Sequence, residues 1–347
     1  MKKYNFLSDY NEGCHPNILR ALEKTNLEPQ LGYGEDKYSL KAKELLKKKI
    51  KNYNVNIYLI PGGTQVNLIV ASSILKPYES VITASSSHIV NNEAGAIEMT
   101  GHKVNIIHTD TGKITKEDIQ VVLNNHLSYP HMVKPKIVYI SNATEMGTIY
   151  DKQELKQLYT FCKEKELYLF LDGARIGNVL CNKESMLTLQ DISDYTDIFY
   201  IGGTKNGALL GEAIVVNNNK LQKDFLVNIK QRGALLAKGR LLGIQFIELF
   251  KENLFYDLAR HANLMSTKIR DNLKELGYSF LTNGNSNLLF PIFPINLIVK
   301  LEKKYSFYRW KVIDKNYVVI RLVTSWATEE KRVDEFLNDI RQLTQGN

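Results

Sequence analysis

The chain has 347 residues, 44% hydrophobic and 24% charged, with 45 basic against 37 acidic side chains and a net charge of +8. That length allows one large α/β domain and a smaller one with ample core, and the composition is that of an ordinary globular protein. No apolar run approaches the roughly 20 residues that cross a bilayer, the start MKKYNFLSDYNEG lacks an apolar signal core, and Cys14, Cys162 and Cys181 form no CxxC pair, so a reduced, cytoplasmic setting is expected.

In chain order, the first strong pattern is KAKELLKKKIK at 41–51, where Leu45, Leu46 and Ile50, with Leu40 just before the run, make an amphipathic stripe. Its lysines read as the solvated face of a helix. The positive charge could suggest nucleic acid, but no DNA- or RNA-binding motif accompanies it, so neither nucleic acid nor membrane is expected as a partner. From about 55 to 216, apolar strands alternate with amphipathic helices. The strands are VNIYLI (55–60), SVITA (80–84), KVNIIH (103–108), KIVYIS (136–141), LYLFL (167–171), DIFYI (197–201) and EAIVV (212–216). Several are apolar nearly throughout, as strands covered on both faces must be. Asp151 with Glu154 forms a capping signal for the helix that follows, and Gly101 is expected to close a helix containing NEAGAIEMT. The alternation predicts a mainly parallel sheet between helical layers. After about 250 come a long helix (LFYDLARHANLMSTKIRDNLKEL), short strands near 278–292 and 317–323, and a terminal helix. We divide the chain at 248/249 into a large α/β domain, residues 1–248, and a small α+β domain, residues 249–347.

Sites in such sheets gather beyond the carboxyl ends of the strands. After VNIYLIP comes Gly62-Gly63-Thr64 at the opening of a helix, where backbone amides and a hydroxyl suit a phosphate; there is no P-loop lysine and no GxGxxG. His88 follows SVITASSS, although a lone histidine is more often a packed residue. Asp172 ends the apolar strand LYLFL, where a carboxylate needs a partner to stay charged, and no metal-ligand spacing surrounds it. Lys205 follows DIFYIGG. A phosphate cradle, a buried aspartate, an imidazole and a strand-end lysine together describe a pyridoxal phosphate site. In it the lysine joins the aldehyde, the aspartate holds the pyridine nitrogen protonated, and a side chain stacks on the ring. Arg321 interrupts the apolar run VVIRLV, either as a ligand-binding group or as a strand's solvent-facing residue.

These residues sit within longer matches: FLSDYNEG, YGED, PGGTQVN, SSHIVNNEAGAIE, ATEMGTIY, DGARIGN, GGTKNGALLGEAIV, QRGALLAKGRLLG and VVIRLVTSWAT. On them the chain resembles the low-specificity threonine aldolases of the β-eliminating lyase group, enzymes of the aspartate aminotransferase fold (fold type I). The resemblance implies a seven-stranded, mostly parallel sheet and cleavage of L-threonine, L-allo-threonine and related β-hydroxy-α-amino acids to glycine and an aldehyde. It implies Lys205 as the covalent anchor, Asp172 at the pyridine nitrogen, His88 over the ring, and Gly63, Thr64 and Arg240 near the phosphate, with Arg175 and Thr204 also at the cofactor. Ser8, Arg175 and Arg321 match positions that hold the substrate carboxylate, and Tyr33 one contributed by a neighbouring subunit, so a homo-oligomer, dimer or tetramer, with shared sites is implied. Many relatives carry a histidine where this chain has Thr144-Glu145-Met146, which leaves His88, Glu145 or a water to take the β-hydroxyl proton, with Glu93 a weaker candidate. The alternatives are β-elimination or transamination with the same cofactor and, more remotely, a non-catalytic basic binding protein.

Overall fold

Period-two alternation along the strands decides how the large sheet is covered. In the strand Tyr168–Asp172, Leu169 and Leu171 join one buried cluster and Phe170 joins another. The same division separates Phe199 and Ile201 from Ile198 and Tyr200 in the strand Ile198–Gly202. Each face therefore has its own apolar layer, which is why these strands carry almost no polar residue before their ends. A computed structural model describes residues 3–345.

The sheet has seven strands in the order Asn56–Ile60, Glu212–Val216, Ile198–Gly202, Tyr168–Asp172, Lys134–Ser141, Glu79–Ala84, Val104–Ile107. All the pairings are parallel except those of Glu212–Val216, which runs antiparallel to both of its neighbours. Gly202 lies opposite Glu212, so residues 203–211 form a hairpin connection at the carboxyl end of a parallel strand. Lys205 is in that hairpin.

The helix Lys152–Glu164 opens on the expected capping box, with Asp151 and Glu154 each accepting the other's backbone N–H. The expected helix through NEAGAIEMT differs. It is two four-residue turns, His88–Asn91 and Ala96–Met99, because Ala94 (φ 50°) and Gly95 (φ 74°) take left-handed backbone between them.

Past the 22-residue helix Leu254–Glu275, the strand Tyr317–Val323 pairs antiparallel with Ile292–Pro294, Leu288–Leu289 and Tyr308–Val312. Two elements here carry no signal in the residue pattern: the strand Tyr308–Val312 and the helix Ile295–Leu301. That strand is exposed along its whole length and lies at the sheet edge, so no buried face gives it a pattern. The N-terminal segment also packs here. Tyr4–Asn5 pairs parallel with Tyr305–Ser306, and Phe6 is fully buried against Tyr305 and Phe336. Among the described residues, no helix is long and apolar enough to cross a membrane.

Candidate active site

Asp172 closes its strand on the face that carries Phe170, and alternation puts two tyrosines of neighbouring strands on that face. Asp172 Oδ1 accepts the Tyr200 hydroxyl at 2.6 Å and the Ala174 N–H at 2.9 Å, while Oδ2 accepts the Tyr139 hydroxyl. All three side chains are buried. Three donors thus converge on one buried carboxyl and fix its orientation.

The hairpin holding Lys205 is tight. Gly203 N–H points to the carbonyl of Gly211 at 3.0 Å, and a Cβ on Gly203 would come within 2.6 Å of that oxygen. Only glycine permits so close an approach. Burial first, and then the Arg175 guanidinium, pull the Lys205 amine below the ordinary lysine range; Asp9, Asp172 and Glu212 act in the opposite direction.

Near this amine the structure places His88 and Glu93, with Glu145 bonded to the His88 backbone. His88 Nε2 stands 3.8 Å from Glu93 Oε1, which also accepts Asn67 Nδ2 at 2.8 Å. Burial and the nearby Lys205 lower the imidazole to about 4, despite the opposing charge of Asp172. Burial raises Glu93 to about 7, against hydrogen bonds from Asn67 and Thr64. The Thr64 hydroxyl thus joins the helix start at Gly63 to the same group. Glu145 Oε1 accepts His88 N–H at 2.9 Å and the Ser141 hydroxyl at 2.8 Å. Burial, reinforced by the charge of Asp172, raises this carboxyl to about 7.

Arg175 is spanned by Asp9, Nε to Oδ2 at 2.7 Å and Nη2 to Oδ1 at 3.0 Å, and Asn287 Nδ2 adds 2.9 Å to Oδ2. Ser8 turns its hydroxyl to Asn11 Oδ1 at 2.6 Å. Arg321 donates from Nη2 to the Leu7 carbonyl at 3.0 Å, packs 4.7 Å from the Tyr308 ring centroid, and leaves Nε buried without a hydrogen-bond partner. It is therefore more than a solvent-facing strand residue.

Two residues named from the sequence stand apart from this group. Tyr33 is half exposed beneath Lys230, and Arg240 donates to the carbonyls of Thr25 and Glu28. Two others were missed, Asp9 and Glu212. Glu212 heads the fully buried strand EAIVV, the same signal that singled out Asp172. Asp9 adjoins Ser8 inside FLSDYNEG and had no signal of its own.

Several features fit a phosphorylated aldehyde cofactor. The helix Gly63–Ile74 has no side-chain cap at its start, and a Cβ on Gly63 would press to 3.2 Å from the Tyr200 hydroxyl. Ser86 Oγ, Ser87 Oγ and Glu93 Oε2 are buried polar atoms without a hydrogen-bond partner. Buried groups of this kind are normally satisfied, and a bound polar ligand would satisfy them. Among the described residues, no group of three or more His, Cys, Asp or Glu is placed to hold a metal ion.

Comparison with known proteins gives the same direction. A model of the family described as Beta-eliminating lyase matches residues 5–292. The low specificity L-threonine aldolase of Pseudomonas sp. (strain NCIMB 10558) is 32% identical, with 97% of each chain covered. A solved threonine aldolase of Leishmania major superposes with a TM-score of 0.97 at 43% identity, covering 98% of this chain and 99% of that one. An aspartate aminotransferase of Thermus thermophilus superposes with a TM-score of 0.72 at 14% identity, covering 98% and 91%, and at that identity it speaks to the fold alone.

Proposed function

This chain belongs to the β-eliminating lyase family, and from that premise we propose that it cleaves L-threonine, L-allo-threonine and related β-hydroxy-α-amino acids to glycine and an aldehyde, with pyridoxal phosphate as cofactor. The observation that carries the reading is the amine of Lys205, drawn below its ordinary range in a tight hairpin beside Asp172, His88 and Arg175. An amine of lowered basicity is a ready nucleophile near neutral pH.

Lys205 would hold the cofactor covalently, Asp172 would face its pyridine nitrogen, and the helix start at Gly63 and Thr64 would take its phosphate. The bound cofactor supplies the electron sink for the pair left on Cα when Cα–Cβ breaks. Thr204 and Arg175 border the same space. We assign the substrate carboxylate to Arg321, since Asp9 already spans Arg175 and Arg321 keeps an unpartnered Nε. Ser8 adjoins the Leu7 carbonyl to which Arg321 is tied. His88, neutral at physiological pH, is suited to cover the ring. Glu145, at about 7, is best matched to take the proton from the β-hydroxyl.

Tyr33 and Arg240 would complete the site from a second subunit. Exposed Leu27 and Leu31 adjoin Tyr33, and such an apolar stretch supports a homo-oligomer. The free cysteines support a cytoplasmic setting.

Incubation with L-allo-threonine tests the reaction. Glycine and acetaldehyde in equal amounts are expected; 2-oxobutanoate and ammonia would assign elimination instead.

A further inference from the structure

A buried carboxyl that the proposed reaction does not use lies in the strand that closes the Lys205 hairpin. Glu212 is 5% exposed and begins the antiparallel strand opposite Gly202. Its Oε2 accepts Gly203 N–H at 3.0 Å, and its carboxyl also takes a hydrogen bond from the Thr204 side chain. Thr204 Oγ1 in turn accepts Gly211 N–H at 3.0 Å. One acid thus fastens both residues immediately before the lysine.

We propose that Glu212 is a positioning residue for Lys205, holding the segment just before the lysine from the facing strand and setting a carboxylate charge against the hairpin that carries the amine. The proposal rests on Lys205 being the reactive amine of the proposed chemistry. Burial raises the Glu212 carboxyl to about 8, against Thr204 and Lys205, while Lys205 is moved downward. The Glu212 charge thus works to keep the amine protonated, against burial and Arg175. The other charged groups facing the amine are Arg175, Asp9, Asp172, His88 and Glu93. Glu212 differs from all of them in being bonded to the lysine's own hairpin.

The test uses the full chain freed of cofactor and follows the pH dependence of Lys205 reductive methylation with labelled formaldehyde, read by peptide mass spectrometry. Glu212→Gln keeps an acceptor for Gly203 and removes the charge. The expected result is a midpoint at least about half a unit lower, or roughly threefold more free amine on the acid side. Loss of anchoring alone would leave that midpoint in place. A Glu212→Gln curve superimposable on the wild type's overturns the proposal. Glu212→Asp sets the acid back by one methylene and should fall between the two; if the amide variant does not fold, an aspartate curve identical to wild type is equally fatal. Because the readout needs no substrate, it is independent of whether glycine and aldehyde are the products.

Discussion

Asp9 and Arg175 meet through two parallel hydrogen bonds across 166 positions of sequence, and both side chains are largely shielded from water. Asn287, from the C-terminal part of the chain, binds the same carboxylate. The pair therefore joins the N-terminal segment, the large sheet and the small layer at one point beside Lys205. It also neutralises the cation that most depresses the lysine amine.

Removing Asp9 should be costly. A guanidinium left buried without its partner destabilises by about 3–5 kcal/mol, so Asp9→Ala is expected to lower the midpoint of urea unfolding clearly. Burial alone would raise this carboxyl, but Arg175 and Lys205 outweigh it and hold it below the ordinary range. Its contribution is therefore present above the unfolded value near about 4 and is lost as pH falls through the lower folded value. The wild-type advantage over Asp9→Ala should shrink in acid, and a difference that stays constant with pH would refute the ion-pair account.

Lys205→Ala should abolish the near-visible absorbance that appears when the protein binds pyridoxal phosphate, since no other amine is held in that hairpin. Asp172→Ala should retain cofactor poorly and turn over hardly at all. A persistent band in the first variant, or near-normal turnover in the second, would remove the basis of the assignment.

On the proposed reading the substrate carboxylate meets Arg321, whose Nε has no hydrogen-bond partner. Arg321→Ala should reduce kcat/KM by about 10- to 100-fold, the equivalent of a charge-assisted hydrogen bond or two. Arg321→Lys should recover only part of this, because a point charge cannot grip a carboxylate with a planar fork. Steady-state kinetics on L-allo-threonine decide it, and an unchanged KM in both variants would assign the carboxylate elsewhere.

Glu145 makes a prediction of opposite sign to Asp9. Its folded value, about 7, lies above the unfolded one, so the native state holds a proton that the unfolded chain releases, and stability falls as pH rises from about 4 to about 7. Glu145→Gln can still accept from His88 N–H and Ser141, so its melting temperature should gain on wild type across that window. If Glu145 takes the β-hydroxyl proton, the same variant should lose the acid limb of the activity profile near pH 7. An unaltered profile would move that role to His88 or Glu93.

The large sheet was legible in the sequence because each strand is buried on both faces, and only a strand shielded from water on both sides tolerates so unbroken an apolar run. Asp172 and Lys205 were legible for a related reason: polar groups at the ends of such runs stand out against them. The exposed strand Tyr308–Val312 left no such mark, and the broken helix near Gly95 turns on backbone angles that an Ala-Gly pair does not announce. What only the tertiary structure decided is which charges meet. Asp9 on Arg175, Glu212 on Gly203, and Arg321 against Leu7 are contacts between segments far apart in the chain or turned back on a hairpin. Their strength depends on distance and exclusion of water, and neither is written in the order of residues. Local pattern determines the strands and the polar groups at their ends; folding determines the electrostatic surroundings of those groups.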